Sequence, residues 1–270
     1  MKTSMPLVIV VTALLFGCKP AEQSQLAVQP TMPAPIEQVN CEFTLGMDAW
    51  EPYQYMTVGN RVAGLDVELV QAITADMGCD MNVVQGSWVE LLTLLKDGKV
   101  DFVLGASKTE ERGEFAYFSQ PYRQEMFQLY VRKDQTGLPQ SSLRDFVEAG
   151  HKVGVVNEYY YGDEVAALYA DDKLRNKFIG AIISELNMAR LLDEEIDGLL
   201  EDSFVGASIL RRKGLDKYIT PHDISLGASD VFVMFSKASV SEAQVNAFNA
   251  GLDKLRENGG YKTIMDKYSN

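Results

Sequence analysis

Residues 64–84 read Gly64-Leu65-Asp66-Val67-Glu68-Leu69-Val70-Gln71-Ala72-Ile73-Thr74-Ala75-Asp76-Met77-Gly78-Cys79-Asp80-Met81-Asn82-Val83-Val84. Val67, Val70, Ile73 and Met77 recur at helical spacing, Asp66 can cap the start, and Gly78 supplies a stop. The helix is flanked by two short strand-like runs, Glu42–Leu45 before it and Met81–Val84 after it. A strand, a crossing helix and a second strand make a parallel pair, the unit from which α/β sheets are built. The pattern continues outward. Ser87-Trp88-Val89-Glu90 forms a capping box for a helix through Lys96, with Gly98 after it, and Asp101–Gly105 reads as a third strand. After an irregular stretch, Met126–Arg132 reads as a long strand leaving this first unit.

A second set follows. Lys152–Val156, Lys177–Gly180 and Ile196–Leu200 are strand-like, and Tyr159–Tyr169, Glu185–Glu194 and Asp202–Arg212 are helical. Val231–Phe235 is a strong strand; Ser241-Glu242-Ala243-Gln244 opens a helix to Glu257, and a last helix covers Tyr261–Tyr268. The expected architecture is α/β and two-lobed, with one lobe from 41–131 plus 229–270 and the other from 132–228. Each lobe is a mostly parallel sheet flanked by helices. Crossings near 131–134 and 226–232 make a two-strand hinge, which lets two lobes close by rotation at a few residues.

The first forty residues have a different character. A short basic start is followed by an apolar run, Pro6 to Phe16, broken only by Thr12. It falls short of the ~20 residues needed to span a bilayer and suits a secretory signal. Leu15-Phe16-Gly17-Cys18 resembles a bacterial lipobox, in which Cys18 would be lipidated and become the mature N-terminus. The other reading is a buried N-terminal strand with a chance cysteine. Residues 1–18 are therefore expected to be a lipoprotein signal peptide. Residues 19–40, with Pro20, Pro30, Pro33 and Pro35, are expected to be a disordered tether. The expected location is the periplasm or cell envelope, held to a membrane by lipid alone.

The chain of 270 residues carries a net charge of −13. A nucleic-acid partner calls for clustered Lys and Arg, and no such stripe is present. Cys41 and Cys79 remain after Cys18. In an exported protein two such cysteines usually pair, and each precedes one of two neighbouring strands; two separate buried thiols are the other reading. His151 and His222 have no metal-ligand spacing with each other or with cysteine. No Gly-x-Ser-x-Gly elbow, Walker loop or dinucleotide glycine motif occurs. No metal and no cofactor is expected.

From Phe43 to Asn270 the chain resembles the family 3 extracellular solute-binding proteins, receptors for polar amino acids in ABC-type uptake. The resemblance rests on motifs in order: Gly46-Met47-Asp48-Ala49-Trp50-Glu51-Pro52-Tyr53, Gly64-Leu65-Asp66-Val67-Glu68-Leu69, Gly98-Lys99-Val100-Asp101 and Thr109-Glu110-Glu111-Arg112. Phe118-Ser119-Gln120-Pro121-Tyr122, Lys152-Val153-Gly154-Val155 and Leu255-Arg256-Glu257-Asn258-Gly259-Gly260-Tyr261 complete the series. The resemblance implies the periplasmic binding protein fold of type II, with the ligand between the lobes. It implies that Arg112 grips a ligand carboxylate, since a guanidinium makes two parallel charge-assisted bonds. Ser107 would add hydroxyl or backbone contacts, Asp202 would accept from the α-ammonium, and Trp50 and Trp88 would wall the ligand side chain. Each has a plainer reading: a surface ion pair with Glu110 or Glu111 for Arg112, a helix cap for Asp202, core packing for the tryptophans.

The departures bear on the ligand. Where the family usually has a small Gly-Ser/Thr-Thr loop, this chain has Asn157-Glu158-Tyr159-Tyr160-Tyr161, placing Glu158 and Tyr159 at the site. Glu201 stands beside Asp202 where a neutral residue is common. Added carboxylates at the cleft would favour a cationic group on the ligand; the alternative is that Glu158 and Glu201 face solvent. The implied partners are a small amino acid-like ligand and the membrane permease of an ABC importer, and a monomer is expected. A non-enzyme is expected. The resemblance leaves two other roles: an exported cyclohexadienyl or arogenate dehydratase on the same fold, and a sensory solute receptor. The chain ends at Asn270 with no kinase, membrane-spanning or glycosidase segment, which favours the stand-alone receptor.

Overall fold

The computed structural model describes residues 41–268; the expected signal peptide, Cys18 and the tether lie outside the described residues. The chain runs β1 (Cys41–Met47), β2 (Tyr55–Met56), β3 (Val62–Ala63), α1 (Leu65–Asp76), β4 (Cys79–Gln85), α2 (Trp88–Lys96) and β5 (Phe102–Ala106). Next come α3 (Glu110–Phe115), β6 (Ala116–Phe118), β7 (Arg123–Glu125), β8 (Phe127–Arg132), α4 (Leu143–Glu148), β9 (Val153–Val156), α5 (Asp163–Ala170) and β10 (Phe178–Ala181). It finishes with α6 (Ser184–Leu192), β11 (Gly198–Asp202), α7 (Ser203–Lys213), β12 (Ile219–Ser225), β13 (Ser229–Ser236), α8 (Glu242–Glu257) and α9 (Gly260–Tyr268).

Two sheets organise these elements. The first has the order β4-β1-β5-β13-β6 with β7 also on β13, and the second β10-β9-β11-β8-β12. In the first, β1 lies parallel to β4 and β5, while β13 is antiparallel to β5, β6 and β7. In the second, β9 is parallel to β10 and β11, and β8 is antiparallel to β11 and β12. The molecule is thus a two-lobed α/β protein. Cys41 is the register partner of Cys79, and the two are joined by a disulfide.

The chain changes sheets twice. It leaves the first at Met126, between β7 and β8, and returns over 226–228, between β12 and β13. The outgoing crossing, expected at 131–134, therefore lies several residues earlier. The reason is packing: Phe127, Leu129 and Val131 bury one face of β8 in the second lobe, and its backbone pairs with β11 along its length. An alternating run needs a neighbour on both edges, and those neighbours are in the second sheet.

Two helix starts also differ from expectation. Asp66 does not cap α1. Gly64 holds that position with a φ of 128°, where a Cβ would sit 2.1 Å from the Tyr53 carbonyl oxygen, so a side chain there is excluded. Asp66 is fully buried in the first turn. The helix expected from Tyr159 begins only at Asp163, because Tyr159 and Tyr161 turn inward: the Tyr161 hydroxyl accepts from the Val156 N–H at 2.7 Å. Where capping signals were complete they hold. Glu90 accepts from the Ser87 N–H at 2.9 Å at the start of α2, and Gln244 does the same for Ser241 at the start of α8. Among the described residues no helix is long and apolar enough to cross a membrane.

Candidate functional site

The carboxyl ends of the central strands of both sheets meet at the crossings, the place where open α/β sheets form crevices. Each end delivers particular side chains. The turn after β1 carries Asp48 and Trp50, with Trp50 and Gln54 pinned by backbone bonds of 2.8 and 3.1 Å. Trp88 is the first residue of α2, directly after β4. Ser107 follows β5, and Arg112 lies one turn into α3, its N–H donating to the Thr109 hydroxyl at 3.2 Å. From the second lobe, Glu158 and Tyr159 follow β9, and Glu201 and Asp202 end β11.

Among the described residues, five side-chain hydrogen bonds join the lobes at the cleft. The Trp50 indole N–H donates to Glu201 Oε1 at 3.2 Å, and the Tyr53 hydroxyl donates to Asp202 Oδ1 at 3.2 Å. The Trp88 indole and the Arg112 Nη2 both donate to the Glu158 carbonyl, at 3.1 and 2.7 Å. The Tyr159 hydroxyl donates to Asp48 Oδ2 at 3.0 Å. Between the walls lies a cavity of about 20 Å³ lined by Trp50, Trp88, Ser107, Arg112, Glu125 and Tyr159, among others. That is about one water's worth, against the hundreds of Å³ of a typical ligand pocket, so a larger guest requires the lobes to part. Each cross-lobe bond contributes roughly 1 kcal/mol net, a barrier that ligand binding can offset.

The expected site residues divide. Trp50, Trp88, Ser107, Arg112 and Tyr159 converge on one cavity. Asp202 and Glu158 do not line it. Asp202 caps α7, its Oδ1 accepting from the Phe204 and Val205 N–H groups at 2.9 and 3.0 Å, and reaches the first lobe through Tyr53. Glu158 has an exposed side chain and a φ of 63°; its hydrogen bonds to the first lobe run through its carbonyl, while its carboxylate acts on Arg112 through charge. The solvent-facing alternative thus describes Glu158, while Glu201 is 1% exposed.

Three further residues belong to these walls. Tyr53 carries the bond to Asp202, Asp48 receives Tyr159, and Glu125 lies in the cavity wall with Oε1 accepting from the Ser107 hydroxyl at 3.2 Å. Asp48 and Tyr53 sit inside the Gly46–Tyr53 motif, where their types gave a signal. Glu125 had none, because the sequence around it reads as irregular. Only the β7 register, with Arg123 and Glu125 inward and Gln124 outward, reveals it. Gly105 makes room for the wall: with φ at 73°, its Cβ position would lie 3.2 Å from the Trp50 ring.

The electrostatics follow from burial. Desolvation pushes Glu125 up to about 7; Arg123 pulls it down, Asp202 adds to the rise, and the Ser107 bond lowers it. Desolvation likewise raises Glu201 to about 7, against bonds from Ser184 and Trp50. Ser184 is the larger of these two opposing contributions, although Glu201 Oε2 accepts no bond of good geometry. Asp48 rises to about 6 and Asp202 also rises, burial being the main cause in both. Arg112 is lowered by desolvation, with Glu125 the chief opposing charge. A buried ion left without a partner is costly, so this arrangement calls for compensating charge.

A larger groove of about 660 Å³ runs past Tyr53, Tyr122, Phe204, Tyr261 and Tyr268. Its cations are engaged, Arg123 by Asp66 and Arg256 by the Pro121 carbonyl, and few polar groups converge there to orient a ligand. Among the described residues, no group of three His, Cys, Asp or Glu is placed to hold a metal.

The sequence model of the bacterial extracellular solute-binding proteins, family 3, matches residues 43–270. The chain belongs to that family. Its members are extracytoplasmic or periplasmic solute-binding proteins, and those of the polar amino acid type capture amino acids for ABC uptake. This family 3 chain is 28% identical over 224 residues to a probable histidine-binding protein of Neisseria gonorrhoeae, covering 80% of this chain and 78% of the relative. Its fold is shared with the arginine-, lysine-, histidine-binding protein ArtJ of Geobacillus stearothermophilus. There the TM-score is 0.71 and the identity 22%, over 84% of this chain and 95% of that one. A shorter likeness, 35% identical over 74 residues, is to the cyclohexadienyl dehydratase of Pseudomonas aeruginosa, covering 27% of this chain and 28% of that enzyme.

Proposed function

We propose that this family 3 protein captures a small zwitterionic amino acid, with preference for a cationic side chain, and delivers it to the permease of an ABC importer while held to the membrane by a lipid on Cys18. Residues 1–18 act as the lipoprotein signal and 19–40 as the tether between anchor and lobes. One observation carries the reading. Arg112 is buried at the cleft, yet its donors go to carbonyls, Nη1 to Ser107 at 2.9 Å and Nη2 to Glu158 at 2.7 Å, leaving no carboxylate in its fork. A guanidinium so held is preorganised for an incoming carboxylate.

In the mechanism that follows, the open first lobe receives the ligand carboxylate at Arg112 and Ser107, with the side chain against Trp50 and Trp88. Closure brings Tyr159 over the ligand and Asp202 toward its ammonium. The cross-lobe bonds to Glu158 and Glu201 are available in the closed state alone, so a ligand that fits between them shifts the hinge by its differential affinity. The relatives described above, a probable histidine-binding protein in Neisseria and an arginine-, lysine-, histidine-binding protein in Geobacillus, support a cationic side chain.

The test is a thermal-shift panel of amino acids on residues 19–270. A ligand at a hundred times its Kd should stabilise the protein by roughly 2.7 kcal/mol. A panel without any stabilising amino acid ends the receptor reading. For the anchor, incorporation of a labelled fatty acid should disappear in Cys18→Ser.

A second reading has one observation in its favour. Glu125 stands in the cavity wall and burial pushes it up to about 7, the combination a general acid in an exported dehydratase would need. Formation of phenylpyruvate from prephenate, or phenylalanine from arogenate, by the purified protein would establish it.

A further inference from the structure

We propose that Glu125 and Glu201 together select a ligand of net positive charge, by accepting an ammonium or guanidinium group in addition to the α-ammonium. This rests on the receptor reading above and deepens it. Its basis is the balance of buried charge at the junction of the lobes. Four buried carboxyl groups stand there: Asp48, Glu125, Glu201 and Asp202. Of the two buried arginines beside them, Arg123 is already engaged. It holds Asp66 with both Nε and Nη2, at 2.8 and 3.1 Å, and lies 3.6 Å from the Tyr53 ring centre. Arg112 alone remains, and in a closed complex its fork is turned to the ligand carboxylate.

The four carboxyls are not equally satisfied. Asp202 has two backbone N–H donors and a tyrosine hydroxyl, and Asp48 has the Tyr159 hydroxyl. Glu125 has only the Ser107 hydroxyl from a side chain, and Glu201 has the Trp50 indole and its neighbour's N–H on Oε1, with Oε2 unmatched. A neutral zwitterion brings one cation and one anion into the cleft and leaves these two acids uncompensated. A ligand with one more cation compensates them. The walls suit such a group, since Trp50, Trp88 and Tyr159 stand edge to face, with ring centres 5.9 to 6.1 Å apart around the cavity.

The groups that set the charge of these acids are on several elements. Glu125 feels Arg123 on its own strand, Ser107 after β5, Arg112 on α3, Asp202 at β11 and Asp66 on α1. Glu201 faces Trp50, Ser184, Asp202 and the hydroxyls of Tyr130, Tyr159 and Tyr161. Burial raises both to about 7 in the ligand-free protein, and a cation placed beside them would favour their ionised form. Binding of a cationic ligand therefore releases protons and tightens as pH rises, by about tenfold per unit below 7 for each proton released.

The experiment is calorimetric titration of the full chain with arginine and with citrulline, which has nearly the same shape and no side-chain charge, at pH 5.5 and pH 8. Arginine should bind at least a hundredfold tighter than citrulline at pH 8, with the preference shrinking at pH 5.5. Glu125→Gln and Glu201→Gln should each lower the arginine-to-citrulline ratio about tenfold and weaken its pH dependence, while citrulline's own affinity holds or improves. A merely structural role would weaken both ligands alike and leave the ratio unmoved, and that result overturns the proposal. So does equal binding of arginine and citrulline, in which case the receptor reading stands alone. Binding of agmatine but not arginine would keep the acidic pair and remove the carboxylate grip from Arg112. Binding of no amino acid or amine removes both.

Discussion

Arg112 and Arg123 are both buried in the first lobe, eleven positions apart, and they live differently. Arg123 is clamped by Asp66, by the Tyr53 ring and, through that shared acid, by Tyr122, whose hydroxyl donates to Asp66 Oδ2 at 2.6 Å. All of these partners lie in the same lobe. Arg112 has no carboxylate; its partners are two carbonyls, one from each lobe, and the Trp88 ring at 5.4 Å. The first is a closed charge that holds the cleft wall in shape from behind. The second is an open charge that costs stability in the resting protein and, in the function proposed above, is kept for a ligand carboxylate. A buried pair contributes mainly through the penalty for breaking it, whereas a buried cation facing carbonyls keeps its strongest interaction in reserve.

Four measurements break or sharpen that contrast. Arg123→Met strands a buried carboxylate at Asp66 and should cost about 3–5 kcal/mol in urea unfolding. A loss below 1 kcal/mol would mean that the pair is no pillar. Arg112→Ala should change the unliganded protein by about 1 kcal/mol or less yet abolish the roughly 2.7 kcal/mol of ligand stabilisation. An intact thermal shift would take Arg112 out of the site.

The third measurement concerns the acids opposite Arg112. The folded-state pKa of Glu125 and Glu201 is raised from 4.5 to about 7, so the folded protein holds more protons than the unfolded chain between those values. Stability of the ligand-free protein therefore falls as pH rises from 5 to 8. The full shift corresponds to about 1.4 kcal/mol per unit, and parting of the lobes rehydrates the carboxylates, so a loss of about 1 kcal/mol is expected. Glu201→Gln should flatten the profile, and a profile that rises with pH would contradict the charge assignment. Last, Trp50→Phe removes the indole donor to Glu201 while keeping the wall, and should weaken ligand-driven closure by about 1 kcal/mol. Small-angle scattering with and without ligand would read that change.

How much of this was legible beforehand can be followed residue by residue. Glu42–Leu45, the helix after Gly64 and Met81–Val84 were readable because period and punctuation agree there. So were the Ser87 and Ser241 capping boxes. The start of α5 was misread, since Tyr159 and Tyr161 fit a helical pattern locally yet find better partners in Asp48 and Val156 across the fold. β7 and β12 were not read as strands at all: β7 is only three residues long, and β12 has Pro221 within it. Of the site, Trp50 and Arg112 stood out through their motifs, and Trp88 and Ser107 through the places the resemblance gives them. Glu125 could not, for a lone acid in an irregular stretch looks like any surface acid.

The amino-acid order by itself determined that this chain alternates strands and helices, crosses between two units, and carries Trp50 and Arg112 in motifs that resemble those of a solute receptor. Those features are local, written in spacing and residue type over a few turns. The tertiary structure alone decided which arginine is closed by an acid and which is left open, that Glu201 is interior while Glu158 is outside, and that Glu125 enters the cleft. Those outcomes depend on partners tens of residues away, Asp66 to Arg123 or Trp50 to Glu201, and on the dry interior that turns a carboxylate into a demand for positive charge.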